Sequence, residues 1–271
     1  LLYWTAAELW SMRGDWDRAR YYVSQAAVQP GTYRAMQVPA SLARARFHEA
    51  RADYESALAV LQPLTELDPW TENRVSFWPW QDTYVNALVM TDQLDAADSF
   101  LTAFERVPRE REVASDLARM AWARGRLVAA QGDPDTAREH FEASLGHLRG
   151  LNRPYLRARV SFAFGQSMRR AGKRRLASSV LRVARDLYDS LGAATYVERC
   201  DRELKATGLD VGHLPDLLAK VDHDDGVSFE QLGVDYLFID EAHYFKNLET
   251  PTKMDRVAGI QTGGSERAFD L

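Results

Sequence analysis

The chain has 271 residues, of which 46% are hydrophobic and 27% charged, and its net charge is −5. This composition is typical of a globular protein with one large or two ordinary domains. No apolar run approaches the roughly 20 residues that cross a bilayer, so we expect no membrane partner. The single cysteine, Cys200, excludes an internal disulfide and favours a cytoplasmic location. Because the first residue is Leu1 rather than Met, we expect an internal fragment or a processed product.

A repeat of about forty residues organises most of the chain. Five similar segments, "DWDRA", "DYESA", "QLDAA", "DPDTA" and "KRRLA", end in an alanine, at Ala19, Ala57, Ala97, Ala137 and Ala177. Residues at helical spacing precede and follow each alanine. In the fourth unit they are Leu117, Met120, Ala121, Arg124, Leu127 and Val128, then Phe141, Leu145 and Leu148. Since one helix pair cannot bury its apolar stripe alone, we predict a mainly α fold. It is a tetratricopeptide-like solenoid of about five helical hairpins over residues 1–210.

The residues between paired helices suit tight turns. Gly14-Asp15 and Gly132-Asp133 place a glycine where the first helix ends and an aspartate that can cap the next helix. Pro134 then occupies the first helical position, where its missing N–H costs nothing. These pairs predict the hairpin turns of the first and fourth units.

Seven tryptophans are interpreted mainly as packing between helices. They are Trp4, Trp10, Trp16, Trp70, Trp78, Trp80 and Trp122. The stretch "DPWTENRVSFWPW", residues 68–80, lengthens the link between the second and third units. We predict a packed loop there, and it is also our candidate for a partner contact.

The fifth unit is strongly basic. No Asp or Glu occurs between residues 143 and 185. The candidate contact patch consists of Arg157, Arg169, Arg170, Lys173, Arg174 and Arg175. Three interpretations stay open: a solvated helix face, a surface for an acidic protein partner, and direct binding of nucleic acid.

The stretch "RPYLRARVSFAFGQSMRRAGKRRLASSVLRVARDLYDSLGAATYVERCDRELKATGLD" covers residues 153–210. It resembles the end of the helical sensor region of large LuxR-type transcriptional regulators. The matching positions are Arg157, Arg159, Gly165, Arg169, Arg170, Gly172, Arg175, Ala177, Leu181, Ala184, Leu191, Gly192, Ala193, Glu203, Leu204 and Gly208. With the upstream repeats, the resemblance covers about residues 1–210. It implies an array that receives signals from a small ligand or a protein partner. The remaining 61 residues do not match the helix-turn-helix that follows in this family, so we expect the DNA-binding domain to be absent.

The last part of the chain differs in charge and pattern. Residues 211–271 hold 5 basic and 12 acidic side chains, whereas residues 1–210 are nearly balanced. The apolar run 234–239 predicts a strand buried on both faces. Asp240 and Glu241 follow it directly, at the edge of a parallel sheet where ligands bind. Two carboxylates at such an edge suit magnesium binding and activation of water in nucleotide hydrolysis.

The block "DEAHYFKN", residues 240–247, resembles motif II of Swi/Snf-like helicases, and residues 224–271 resemble helicase proteins of mobile elements. By this resemblance Asp240 holds Mg²⁺ and Glu241 is the catalytic carboxylate. The same resemblance implies that His243 couples the nucleotide site to the nucleic-acid face and that Lys246 and Asn247 mark the Swi/Snf branch. It also implies Mg-ATP as the cofactor.

No G-x-x-x-x-G-K-[ST] phosphate loop occurs in the chain, so we expect no cofactor and no ATPase activity from this chain alone. The histidines form no metal-binding spacing, and "VDHDD", residues 221–225, is interpreted as exposed linker sequence. We expect the linker or junction itself at residues 211–223. Cys200 is predicted to be a buried packing residue. Our hypothesis is that two unlike pieces meet near residue 210. The function that we favour for the chain is that of a sensing scaffold of a LuxR-type regulator. The alternative function is that of a Swi/Snf-type helicase fragment, which could contact nucleic acid as part of its parent protein.

Overall fold

The computed structural model describes residues 2–27, 36–66, 78–105 and 113–208, and every regular element within these ranges is helical. This confirms the mainly α repeat fold. The predicted linker 211–223, the strand 234–239 and the block 224–271 lie outside the described residues.

Ten of the helices form five hairpins, and an eleventh follows them. The first helices of the hairpins are α1 (Leu2–Arg13), α3 (Gln37–Ala50), α5 (Gln81–Met90), α7 (Ala114–Ala130) and α9 (Pro154–Arg170). Their partners are α2 (Trp16–Gln25), α4 (Tyr54–Leu61), α6 (Leu94–Glu105), α8 (Pro134–His147) and α10 (Arg174–Ser190). A 3₁₀-helix, Gln62–Glu66, extends α4, and α11 spans Ala194–Ala206.

The five repeat alanines lie at the same place in every hairpin. Each is the fourth residue of the second helix of its hairpin, and all five have no exposed surface: Ala19, Ala57, Ala97, Ala137 and Ala177. The residue twelve positions earlier is also small or β-branched and buried: Ala7, Ala45, Val85, Gly125 and Gly165. In the fifth hairpin the two positions lie close together, since a Cβ added to Gly165 would come within 3.2 Å of the Ala177 carbonyl oxygen.

The turns share one backbone conformation. A residue with positive φ lies five positions before each repeat alanine: Gly14, Ala52, Asp92, Gly132 and Gly172. The predicted caps are present, because Asp15 accepts a bond from the Arg18 amide at 3.1 Å and Asp133 one from the Thr136 amide at 3.0 Å. Glycine adopts positive φ without strain, whereas an alanine or aspartate at this position does so at a cost.

The predicted stripe on α7 is only partly correct. Leu127 is buried, but Leu117, Met120 and Arg124 are half-buried, and the buried side of the helix instead includes Ala118 and Trp122. Helix α7 packs against α5, α6, α8 and α9. Because it has neighbours on several sides, its burial does not follow one stripe.

The first helices of the hairpins contact one another in order, and α11 contacts both α9 and α1. The six helices α1, α3, α5, α7, α9 and α11, here named the inner helices, therefore close into a ring. At the closure, the Thr195 hydroxyl donates to the Ser11 carbonyl at 3.3 Å. Met12 belongs to the same buried cluster as Tyr196 and Cys200.

The tryptophans that the structure describes pack between helices. Trp80 and Trp122 are 1% and 2% exposed, and Trp4 meets Trp78 edge-on at 5.8 Å between ring centres. Trp70 and residues 68–77 of the candidate partner loop lie outside the described residues. Among the helices described, none has the length and apolarity to cross a membrane.

Candidate functional site

A chain of polar side chains runs across the inner helices at one register. The residue eleven positions before each repeat alanine is polar in every unit: Glu8, Arg46, Asn86, Arg126 and Gln166. Glu8 pairs with Arg46. Further along the ring, Arg126 Nε donates to Asn86 Oδ1 at 3.1 Å and Arg126 Nη1 to Gln166 Oε1 at 3.0 Å. Since these residues lie about forty positions apart, each bond joins neighbouring units.

The chain of hydrogen bonds extends at both ends. Asn86 Nδ2 donates to Glu49 Oε1 of α3 at 2.6 Å, and Gln166 Nε2 donates to Glu203 Oε1 of α11 at 2.8 Å. Arg169 pairs with the second oxygen of Glu203. Five inner helices, from α3 to α11, are thus connected through one continuous set of side chains.

A buried ion-pair cluster lies beside these side chains. Arg159 donates to Glu49 Oε1 at 2.8 Å and to Asp82 Oδ2 at 3.1 Å, and Arg119 also reaches Asp82 Oδ2 at 3.1 Å. All four side chains are less than a tenth exposed. Burial by itself would raise the pKa of the Asp82 carboxyl, but the Arg159 and Arg119 charges outweigh it and the pKa is lowered. Asp82 is therefore held as an anion that ties three units together.

Three buried tyrosines complete the ring interior near α11. Tyr188 stacks on Tyr196 at 4.9 Å between ring centres, and Tyr155 meets both edge-on at 6.1 Å. Burial raises the pKa of each phenol above its ordinary value. These hydroxyls are neutral at physiological pH.

The inner helices form most of the wall of an open cavity of about 380 Å³ next to α11. Its arginines are Arg126, Arg159, Arg169, Arg199 and Arg202, and its carboxylates are Glu49 and Glu203. Its aromatic walls are formed by Tyr54, Trp122, Phe162, Tyr188 and Tyr196. A cavity of this volume with aromatic walls and a few convergent charged groups has the size and lining of small-molecule sites.

The six residues of the predicted basic patch do not form one surface. Arg169 lines the cavity and pairs with Glu203, and Lys173 pairs with Asp135. Arg157 is exposed thirteen residues before Arg170 on α9, which corresponds to about 20 Å along the helix. Arg170, Arg174 and Arg175 are exposed around the turn that follows α9. Nucleic-acid binding through this region stays a prediction.

The other candidate residues fall into two groups. The predicted motif II residues, Asp240, Glu241, His243, Lys246 and Asn247, lie outside the described residues. Cys200 is fully buried on α11, as predicted, and burial raises the pKa of its thiol to about 12. Within the described ranges no cluster of three His, Cys, Asp or Glu side chains could hold a metal ion.

Most residues that carry the resemblance of 153–210 have structural roles. Ala177, Leu181, Ala184, Leu191, Ala193 and Leu204 are buried, and Gly172, Gly192 and Gly208 occupy turns with positive φ. Only Arg159, Arg169 and Glu203 line the cavity. The shared pattern therefore concerns packing more than ligand recognition.

The sequence contained a signal for the polar ring interior that motif reasoning missed. A polar residue at a fixed position in five successive units of a helical repeat is unusual on a helix face that packs against neighbours. Aligning the units on their alanines brings these five residues into one column. Their partners and the cavity between them follow only from the closure of the ring.

A comparison with known protein families finds a match in the last part of the chain. The family described as "Probable helicase domain" matches residues 201–271, about a quarter of the chain. The match begins within α11 and continues through the predicted motif II block. No curated protein matches the chain.

Proposed function

We propose that the helical array is a sensing scaffold of a LuxR-type transcriptional regulator, which binds a small signalling ligand or a protein partner. The cavity inside the ring carries this proposal. Its volume suits a small molecule better than a folded partner, and its wall includes residues of α3, α5, α7, α9, α10 and α11. A ligand that touches so many units at once would couple its binding to the arrangement of the whole ring.

The resemblance of residues 153–210 supports the regulator assignment. The residues that carry it lie on α9, α10 and α11 and in the turns that follow these helices. The polar side chains at the centre add support of another kind. Buried polar groups that could be replaced by an apolar core are costly, and they are often retained where a site needs them.

The proposal is tested by thermal unfolding of the full chain against a panel of neutral, cationic and anionic small metabolites. We expect at least one compound to raise the unfolding temperature, since a ligand that binds only the native state stabilises it. Ala206, which lines the cavity and is exposed, is changed to tryptophan to block the site. The matched control is Ala171→Trp, at the exposed end of α9.

A compound that stabilises the protein and the control variant, but not the blocked variant, supports a ligand-sensing scaffold. If no compound raises the unfolding temperature, or if Ala206→Trp responds as the control does, the cavity is not a ligand site and the proposal of a small signalling ligand fails.

The family match supports a second candidate function, that of a fragment of an ATP-dependent DNA helicase. The observation in its favour is that the match includes "DEAH" at residues 240–243. Calorimetry of Mg-ATP binding to the full chain tests it, with Asp240→Ala as the control variant. Saturable binding that is lost in the variant would favour the helicase function. We expect no such binding, because the chain contains no phosphate loop.

A further inference from the structure

The cavity contains a guanidinium group that no anion neutralises within the described part of the protein. Arg126 is 8% exposed and lies in the cavity wall. It donates to Asn86 Oδ1 at 3.1 Å, to Gln166 Oε1 at 3.0 Å and to the Met90 sulfur at 2.8 Å. All three acceptors are neutral, and no described carboxylate forms an ion pair with Arg126.

The hydrogen bonds of Arg126 leave donors unused. A guanidinium group has five N–H donors, and the three contacts account for one on each nitrogen. One proton on Nη1 and one on Nη2 are therefore free of these contacts. The acceptor at Nη2 is a thioether sulfur, which is a weak hydrogen-bond acceptor. An anionic oxygen would be a better partner for this end of the group than Met90.

The rest of the cavity has the same excess of positive charge. Its two glutamates are already paired with two other arginines, Glu49 with Arg159 and Glu203 with Arg169. Arg199 bonds only the backbone carbonyls of Glu49 and Ala50, at 3.1 and 2.5 Å. Arg202 is exposed at the cavity rim, and neither it nor Arg199 pairs with a described carboxylate. Around this cavity three positive charges therefore have no counter-charge among the residues that the structure describes.

The walls between these charges suit a flat, apolar molecule. Phe162 and Tyr54 are half-buried on the cavity wall, and Tyr188 and Tyr196 stack on each other behind it. Trp122 also lines the cavity, and its buried indole N–H has no acceptor among the described residues. Aromatic walls favour planar unsaturated ligands.

The hydrogen bonds that join the polar side chains of neighbouring units do not by themselves require a charge at position 126. Gln166, the equivalent residue of the next unit, bridges its neighbours with a neutral amide, since it accepts from Arg126 and donates to Glu203. Burial lowers the pKa of the Arg126 guanidinium, which shows that its charge is disfavoured by its surroundings. A cation kept at such a place is explained by an anion that joins it.

Resting on the proposed sensing function, we propose that the ligand is a small planar molecule with a carboxylate or phosphate group. The anionic group binds the free Nη protons of Arg126 and displaces the Met90 sulfur. Arg202 and Arg199 attract it at the rim, and the flat part of the molecule lies between the aromatic walls.

The test is calorimetry on the full chain with three probes of one shape. The probes are 1-naphthoate, 1-naphthyl phosphate and neutral 1-naphthamide. We expect one of the two anions to bind at least ten times more tightly than the amide, and the preferred anion identifies carboxylate or phosphate as the natural group. Arg126→Gln should weaken binding of that anion at least tenfold. Arg202→Ala should weaken it several-fold, because a rim charge is partly screened by salt.

Arg157→Ala is the matched control, since Arg157 is exposed on α9 outside the cavity lining, and it should bind as the unchanged protein does. Circular dichroism checks that each variant is folded, and Arg202→Ala decides the matter if Arg126→Gln does not fold. Equal affinities for the amide and the anions, or no effect of Arg126→Gln or Arg202→Ala, would overturn the inference. A neutral ligand found in the thermal panel would overturn it too, while leaving the sensing function intact.

Discussion

Gly165 of α9 lies so close to Leu181 of α10 that a Cβ built on the glycine would come within 2.5 Å of the leucine Cγ. The carbonyl oxygen of the repeat residue Ala177 would be 3.2 Å away. In the preceding hairpin, Gly125 meets the ring of Phe141 in the same manner, at 3.0 Å. In these two hairpins the glycine is therefore required by the close approach of the two helices.

Gly165→Ala should reduce the free energy of unfolding by about 1–3 kcal/mol, the usual range for overpacking a closely packed core. The better helix propensity of alanine compared with glycine offsets only part of this loss of stability. Urea unfolding followed by circular dichroism measures the change. The control is Gly146→Ala at an exposed position of α8, where an added Cβ would have nothing within 4 Å, and this variant should gain up to about 1 kcal/mol. Equal effects of the two substitutions would contradict the close contact.

Ala52→Gly should stabilise the protein. Ala52 has a φ of +60° in the second hairpin turn, a conformation that is strained for a residue with a Cβ. Glycine removes this strain but increases the entropy of the unfolded chain, so we expect a net gain of up to about 1 kcal/mol. Ala171, whose φ is −76° at the equivalent end of α9, gives the control, and Ala171→Gly should be neutral or destabilising. A loss of stability in Ala52→Gly would show that the turn is unstrained.

Arg199→Ala should loosen the ring closure. Its guanidinium on α11 bonds the last carbonyls of α3, which are 150 and 149 residues away in sequence. We expect a loss of about 1.5–3 kcal/mol, the range for hydrogen bonds from charged groups. Hydrogen exchange should become faster at the end of α3. Lys205→Ala, exposed on the same helix, should leave exchange there unchanged. Unchanged exchange in Arg199→Ala would mean that α11 does not hold the ring together.

The Asp82 carboxylate should make the protein sensitive to acid. Because its pKa in the folded state is lowered, its contribution to stability is complete above the unfolded value of about 3.9. That contribution is lost as the pH falls through the folded-state pKa. Asp82→Asn should therefore reduce stability at pH 7 by about 3–5 kcal/mol, as expected when one partner of a buried pair is removed. It should also flatten the fall in stability below about pH 4.

Urea midpoints measured from neutral to acidic pH give both effects. Asp17→Asn is the control, because the Asp17 side chain is 94% exposed in its pair with Arg20. An Asp82 variant with the same acid slope as the unchanged protein would show that this carboxylate titrates alike in the folded and unfolded states.

Cys200 should be unreactive in the folded protein. The thiol has no exposed surface, and burial raises its pKa to about 12, so almost no thiolate exists at neutral pH. Labelling with a thiol reagent such as 5,5′-dithiobis(2-nitrobenzoate) should proceed only as fast as the protein opens, and it should become rapid in denaturant. Fast labelling of the native protein would mean that α11 opens readily from the ring.

The sequence by itself determined the helical hairpins, their number and their turns. The five repeat alanines, the glycine-aspartate turns and Pro134 act through backbone geometry and through contacts within about forty residues. Such local relationships repeat along the chain and can therefore be recognised in the sequence as a repeat of about forty residues. The burial of Cys200 was also predictable, since a small residue on a helix face of this kind usually packs.

Only the tertiary structure decided what the ring encloses. Arg159 meets Glu49 from 110 residues away, and Thr195 meets Ser11 across 184 residues, and no local pattern specifies either contact. The basic fifth unit read as one patch in sequence, yet Arg169 lies in the cavity while Arg157 lies on the outside of α9. The physical reason is that these contacts form only when the repeat units stack side by side and α11 meets α1. The charge balance of the cavity depends on that closure.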